Sequence, residues 1–325
     1  MVSALDRKLL RDLRHLKGQL LAIVLLVTCG VTTFVGSMTM WRSIMRSQQD
    51  YYERYRFADV FASLRRAPET VARRLAAIPG VAEVQTRVVA DAALEMPGFP
   101  EPVTARFVSI PCCGPPALNR FHIRAGRTIA PGADSEVVVS EGFATAHRLR
   151  TGDRVTAVIQ GRKQSFSVVG IGLSPEFVYE IRPGDLMPDD KHFGILWTSR
   201  RQLEAAGDME GAFNDVAARL EPGASEPEVL VAFDRELGRY GGLGAFLRKD
   251  QVSNRFLSDE IRQLKANAVV VPSIFLGVAA FLLNVIFTRL VSTQREQIAT
   301  LKALGYSNLA TGFHYAKLVA LVAML

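Results

Sequence analysis

Cysteine is scarce. The 325 residues hold three, and no two of them have a spacing that builds a disulfide framework. Cys29 lies in an apolar run, while Cys112 and Cys113 are neighbours, read as incidental loop thiols. The five histidines (His15, His122, His147, His192 and His314) are scattered, and none has another His or Cys at ligand spacing, which argues against zinc. Asp185, Asp189 and Asp190 beside His192 offer either a cation site or a solvated acidic loop, the plainer reading. Also missing are a phosphate-cradling G-x-x-x-x-G-K-[ST] loop, H-E-x-x-H, G-x-S-x-G and S-x-x-K. The chain is therefore not read as an enzyme, and it is expected to bind no cofactor and no metal of its own.

Charge is absent from two long stretches. Residues 18–41, between Lys17 and Arg42, and residues 266–288, between Lys265 and Arg289, carry none. Each exceeds the roughly 20 helical residues that cross a hydrocarbon core. The first is also longer than a signal-peptide core and is followed by no convincing cleavage site. A third apolar run, Leu318–Leu325, is too short to span, which reads as the start of another span in a longer protein.

The formal charge of +7 is unevenly placed. Residues 1–17 hold five Lys/Arg against two Asp, and 289–317 hold four against one Glu, whereas 42–265 hold 30 against 29. Basic residues thus flank the apolar runs, the pattern of cytoplasmic segments. This predicts a cytoplasmic N-terminus, an outside domain and a return to the inside after Arg289. No basic stripe with interleaved aromatics occurs, so nucleic acid is not an expected partner.

These patterns predict six segments in order. Residues 1–18 form a basic amphipathic helix on the inner membrane surface, with Leu5, Leu9, Leu13 and Leu16 on one face before the chain turns in at Gly18. Residues 19–41 and 267–289 are transmembrane helices, 42–266 an extracytoplasmic domain, 290–314 a cytoplasmic segment and 315–325 the start of a third span. Neither span's helical pattern stops at the membrane: 42–55 place Ile44, Met45, Gln48, Tyr52 and Tyr55 on one stripe, and 250–266 do so with Phe256, Leu257, Ile261 and Leu264. Asn284 is a candidate for hydrogen bonding to Ser37, Thr33 or another span. Pro272 either kinks the second span or starts its regular part.

Within the outer domain a weak repeat reads strand–helix–strand twice. The first copy is 57–64, 68–78 and 81–94; the second is 213–220, 227–240 and 243–250. Pro68 and Pro227 sit at the expected helix starts, and Gly80 and Gly241 follow the helix ends. Two such units make a split βαβ sandwich. Between them, about 99–205 read as a β-rich insertion: a strand at 136–140, a helix capped by Ser140, and a hairpin around Gly161-Arg162. The stretch SPEFVYEIRPGDLMPDDKHFGILW reads as a long loop or lobe edge.

The segment STQREQIATLKALGYSNLATGFHY, 292–315, places Ile298, Leu301 and Leu304 on one face of a short helix ended by Gly305. Either it docks on a cytoplasmic partner, or it is an ordinary loop between spans resting on lipid headgroups. The whole order (basic helix, span, large domain, span, REQIATLKALGYSN) resembles the FtsX/MacB-like ABC transporter permeases. The match rests on Arg295, Glu296, Ile298, Leu301, Lys302, Ala303 and Gly305, with Gln297 where the family often has Lys. SEGFATAHRLRTGDRV and SFSVVGIG resemble the family's periplasmic core.

The resemblance implies a membrane protein with α-helical spans and an α+β extracytoplasmic domain, a split βαβ porter-like unit with an inserted β-rich subdomain. It implies that Arg295, Glu296, Ile298, Leu301, Lys302, Leu304, Gly305 and Tyr306 meet a cytoplasmic ABC ATPase subunit, which holds the ATP and Mg. It further implies a second permease copy or homologue, a periplasmic adaptor, membrane lipids as surroundings, and a bacterial inner-membrane, multi-pass location. Lipid, lipoprotein, peptide or drug-like molecules are the expected cargo. Two competing readings stay open on the sequence: a double-span receptor sensing a ligand outside, and a membrane-anchored enzyme.

Overall fold

The computed structural model describes residues 17–96, 98–99, 101–111, 114–293 and 295–303, with Gly305, Ser307, Leu309 and Gly312. Its α-helices are α1 (Lys17–Arg54), α2 (Thr70–Ala76), α3 (Glu141–Ala146), α4 (Arg200–Gly207), α5 (Glu226–Leu237), α6 (Val252–Thr293) and α7 (Arg295–Ala303). The strands are β1 (Val60–Pro68), β2 (Val81–Arg87), β3 (Val89–Glu95), β4 (Val103–Ile110), β5 (His122–Gly126), β6 (Glu136–Ser140), β7 (Arg154–Ile159), β8 (Arg162–Leu173), β9 (Phe193–Ser199), β10 (Ala212–Leu220) and β11 (Ala245–Leu247). The chain divides into two compact units, residues 1–45 with 261–325 and residues 46–260.

The first unit contains the apolar parts of α1 and α6, both long and apolar enough to cross a membrane. Their side chains are largely exposed, Leu21, Leu25, Ile274 and Phe281 among them, as lipid-facing positions should be. The stripe that is covered on α6 is small: Ala268, Pro272 and Ala279 are buried. Opposite it Gly30 is buried, and a Cβ added there would lie 3.1 Å from Cβ of Phe275. Small residues let helix backbones approach closely, which is how spans associate where lipid removes the hydrophobic drive. Lys265 Nζ sits 5.0 Å from the centre of the Trp41 ring. Asn284 is exposed, and the described contact between the spans falls at Gly30 instead. Pro272 lies well inside α6 and does not start it. Gly18 continues α1. The basic segment before Lys17 and the run from 313 onward lie outside the described residues.

The 46–260 unit is built on two sheets. The four-stranded sheet has the order β11-β1-β10-β2, each neighbouring pair antiparallel. With α2 after β1 and α5 after β10, this is the split βαβ arrangement written twice. One face buries Val60, Ala62, Leu64, Phe213 and Val216 against Val71 and Leu75 of α2 and Val229, Phe233 and Leu237 of α5. Each of these valine, leucine and phenylalanine side chains, fully withdrawn from water, contributes about 1.5–3 kcal/mol. Pro227 is at the start of α5. Pro68 is not at a helix start; it ends β1, and α2 begins at Thr70. A proline there costs little because its missing N–H falls at the end of a strand.

The second sheet has the order β5-β8-β6-β9-β4-β3-β7, and β7 also pairs with β8. The pairings therefore close a ring of six strands, β8-β6-β9-β4-β3-β7, with β5 attached to the far end of β8. Phe107, Val139, Ala157, Phe166, Val168 and Leu196 form part of its core, which is capped by Phe143 of α3 and Leu203 of α4. The β7–β8 turn is Gln160-Gly161, with φ of 47° and 78°. Both central residues at positive φ define a type I′ turn, one residue earlier than the expected Gly161-Arg162.

Two expectations fail here. Residues 81–94 are not one strand: β2 ends at Arg87 in the four-stranded sheet, and β3 starts at Val89 in the barrel. The insertion thus begins before residue 99. The switch is held by Asn214, whose Oδ1 accepts from Val89 N at 2.8 Å and whose Nδ2 donates to Val89 O at 2.7 Å, a side-chain copy of a ladder step. Second, FGILWTS is β9, buried at every position and lying between β4 and β6. A strand covered on both faces shows no alternation to read. Gly194 is needed there, because a Cβ would lie 2.4 Å from Cγ of Phe143.

Candidate functional site

Five of the eight sequence-selected residues fall on one short element. Arg295, Glu296, Ile298, Leu301 and Lys302 lie on α7, whose Arg295 and Glu296 side chains are exposed. At about 100° per residue, positions 298 and 301 share a face. Thr300 Oγ1 donates to Glu296 O at 2.9 Å. Gly305 has φ of 91°, the left-handed conformation that suits a glycine after a helix end. Leu304 and Tyr306 lie outside the described residues.

A second site lies within the 46–260 unit, which includes the last turns of α1 and the first turns of α6. Strand β1 begins shortly after α1 ends, and β11 stops shortly before α6 begins. These two strands are neighbours, with Val60 opposite Leu247 and Ala62 opposite Ala245. Tyr52 Oη donates to Asn254 Oδ1 at 2.8 Å, so the last turns of α1 and the first of α6 are bonded directly. Asn254 Nδ2 in turn donates to Arg248 O at 2.9 Å. Tyr51 Oη donates to Leu173 O at 2.7 Å, and Tyr55 Oη pairs with His122 Nδ1 at 2.8 Å, fastening α1 to the barrel. Tyr179 Oη donates to Glu260, and burial followed by that carboxylate pushes its pKa up to about 12.

Between sheet and barrel lies a buried ionic cluster. Arg87, 4% exposed at its side chain, donates to both oxygens of Glu176 and to Asp215 Oδ1, at 2.8 Å from Nη2 to Glu176 Oε1 and 2.8 Å from Nε to Asp215. Burial lowers the guanidinium pKa, but Asp215 and Glu176 outweigh it and leave it above its usual value. Asn119 Nδ2 donates to Glu176 Oε2 at 2.7 Å, and Gln251, just before α6, donates to Glu176 O at 2.7 Å. No spacing in the sequence foretold this cluster. Its members lie on β2, on β10 and after β8, and the available signal was charge inside otherwise apolar strands.

Two smaller groups complete the picture. Ser140 does start α3, yet its side chain makes no cap bond. It donates to Glu180 Oε2 at 2.6 Å and accepts from Ile195 N at 3.1 Å. Glu180 is 3% exposed. Burial, with Asp190 adding to it and the Ser140 hydroxyl opposing, pushes its pKa up to about 7. His192 Nδ1 lies 2.7 Å from Asp189 Oδ2, and its Nε2 meets Glu101. Glu101 first and then Asp189 hold its pKa above the usual histidine value. Asp189 thus serves the imidazole. Among the described residues no cluster suits a metal ion. Cys112 and Cys113 lie outside them.

Comparison with known proteins gives two family matches on this chain. Residues 20–235, more than half of the chain, match the MacB-like periplasmic core domain, and 269–325 match the FtsX-like permease C-terminal region. The chain belongs to the FtsX/MacB-like ABC transporter permeases. It is accordingly a membrane protein with an α+β domain of the periplasmic-core type, from a family of permease components that work with an ATPase. No curated protein matches the permease. Among solved structures, the periplasmic region of MacB from Actinobacillus actinomycetemcomitans is 8% identical, with TM-score 0.38, and the match covers 66% of this chain and 98% of that one. The extracellular domain of the noncanonic ABC-type transporter YknZ from Gram-positive bacteria is 12% identical, with TM-score 0.36, covering 58% and 98%.

Proposed function

We propose that this permease couples ATP hydrolysis by a separate cytoplasmic ATPase to movement of its 46–260 domain, with α7 as the docking element. The observation that carries the reading is the junction of the two long helices. Each runs unbroken, α1 over Lys17–Arg54 and α6 over Val252–Thr293. Both lead into adjacent strands of one sheet and are tied by Tyr52 and Asn254. A Gly/Ser tether absorbs displacement, whereas a helix hydrogen-bonded into a sheet passes it on. The charge distribution supports a cytoplasmic N-terminus and α7 on the same side. ATP and Mg belong to the partner, a second permease copy completes the transporter, and the cargo is lipid, lipoprotein, peptide or drug-like. The match of 269–325 to a permease region favours this over a receptor.

The test compares variants of the purified permease assembled with its ATPase in lipid discs. Leu301→Asp is expected to abolish permease-stimulated ATP hydrolysis or complex assembly. Tyr52→Phe is expected to leave ATP hydrolysis intact and to lower export. Unchanged stimulation and assembly with Leu301→Asp would refute the docking role.

A further inference from the structure

The carboxyl end of α1 borders a cavity of about 560 Å³ in the 46–260 unit. Ligand pockets typically hold about 300–1,000 Å³ and pair an apolar lining with a few convergent polar groups. Here the apolar part is Ile110 and Ile129, both buried, with the half-buried ring of Phe121. The polar part is cationic: Arg54, Arg120 and Arg201 all line the same space.

The three arginines differ in how far they are already engaged. Arg201 is spoken for by the carboxylate of Asp134, the one acidic side chain among the described lining residues. Arg120 uses Nε to donate to Pro116 O at 3.0 Å, and among the described residues its two Nη groups have no partner. Arg54 makes no ion pair among the described residues; its guanidinium carbon lies 6.0 Å from the centre of the Tyr55 ring. The cavity therefore carries more positive charge than its own carboxylate offsets. A guanidinium fork matches carboxylate, phosphate or sulfate in shape as well as charge.

We propose that this cavity binds an amphiphilic anion, its apolar body against Ile110, Phe121 and Ile129 and its head on Arg54 and Arg120. The position ties binding to the helix end. Arg54 is the last residue of α1, and Arg120 N donates to Tyr55 O at 2.8 Å. An anion gripping both arginines fixes the α1 terminus to the segment before β5. The site stands on these contacts alone and does not depend on the coupling role of α7.

The cavity has its own reporter. Phe121 stacks on Trp197, ring centres 5.1 Å apart and 28° from parallel. The full chain carrying Trp41→Phe, in phosphatidylcholine discs, leaves Trp197 as the single tryptophan, and octyl phosphate is the probe. Saturable change in Trp197 fluorescence is expected, with octyl glucoside, which has no charge, binding far more weakly. Losing one charge-assisted contact is worth about tenfold in affinity, so Arg54→Gln and Arg120→Gln are each expected to weaken octyl phosphate by that factor. Arg54 is exposed, so its substitution leaves the fold intact. A linear, unsaturable response, or saturation unchanged in both variants, overturns the proposal. Discs doped with phosphatidylglycerol separate the sources: a Trp197 change without added probe, lost in Arg54→Gln, assigns a bilayer lipid, and no change assigns a free amphiphile.

Discussion

Replacing Arg87 by Met tests how the two sheets of the 46–260 domain are held together. The substitution removes the cation from a cluster of three charged side chains, its partners being the buried Glu176, 8% exposed, and the partly buried Asp215, 13% exposed. Removing one partner of a buried pair leaves an uncompensated charge and costs about 3–5 kcal/mol. For a unit of this size about 1 kcal/mol moves the melting midpoint by roughly 2–4 °C, so Arg87→Met is expected to lower it by about 6–20 °C. The assay is thermal unfolding of the purified full chain in detergent, followed by Trp197 emission in Trp41→Phe protein. Arg87→Met with Glu176→Gln is expected to be less damaging than the sum of the two, with a coupling of at least about 1 kcal/mol. Replacing all three by apolar residues of similar volume is expected to restore most of the loss, since such exchanges are often neutral. A drop below about 3 °C for Arg87→Met, or strict additivity in the pair, refutes the assignment of Arg87 as the buried counter-charge.

Two further outcomes follow from single side chains. The Glu180 carboxyl, raised by burial to about 7 from 4.5, favours its protonated form when folded. Its contribution is therefore whole below about pH 4.5 and is lost as pH climbs to about 7, on the order of 3 kcal/mol in all. Glu180→Gln is expected to flatten that slope in melting midpoints between pH 5 and 7.5; identical slopes in wild type and variant refute it. Gly194→Ala is expected to cost about 1–3 kcal/mol, because the new methyl overlaps the ring of fully buried Phe143. A second change, Phe143→Leu, is expected to recover part of the loss in urea unfolding, and no recovery argues against the overlap.

How far the sequence could be read depended on whether a signal was local. The two long helices were legible because missing charge and 3.6-residue periodicity lie along one stretch of chain. The split βαβ repeat was legible because each copy carries its own strand, helix and terminal glycine. Strand β9 was not, since burial on both faces erases alternation and Asp189, Asp190 and Lys191 just before it suggest a loop. The β2–β3 switch was also hidden: Val81 to Leu94 is continuously strand-like, and what divides it is Asn214, far off in the chain. The α7 residues were placed by resemblance, while the Arg87 cluster and the Tyr52–Asn254 tie needed coordinates because their members are distant in sequence.

The neighbours in the four-stranded sheet set an order on folding. Strand β1 pairs with β10 and β11, and both are made only after the whole barrel has been synthesised. Until then β1 has no partner on either side and leaves Val60, Ala62 and Leu64 bare, a template for wrong pairings. Two of the barrel's links are local, β3 with β4 and β7 with β8, and loop closure favours them first. The expected order is therefore barrel first, with the four-stranded sheet completed against it. The last strand to arrive, β11, is three residues long, and its pairing is the step that brings the second long helix to its place beside the first.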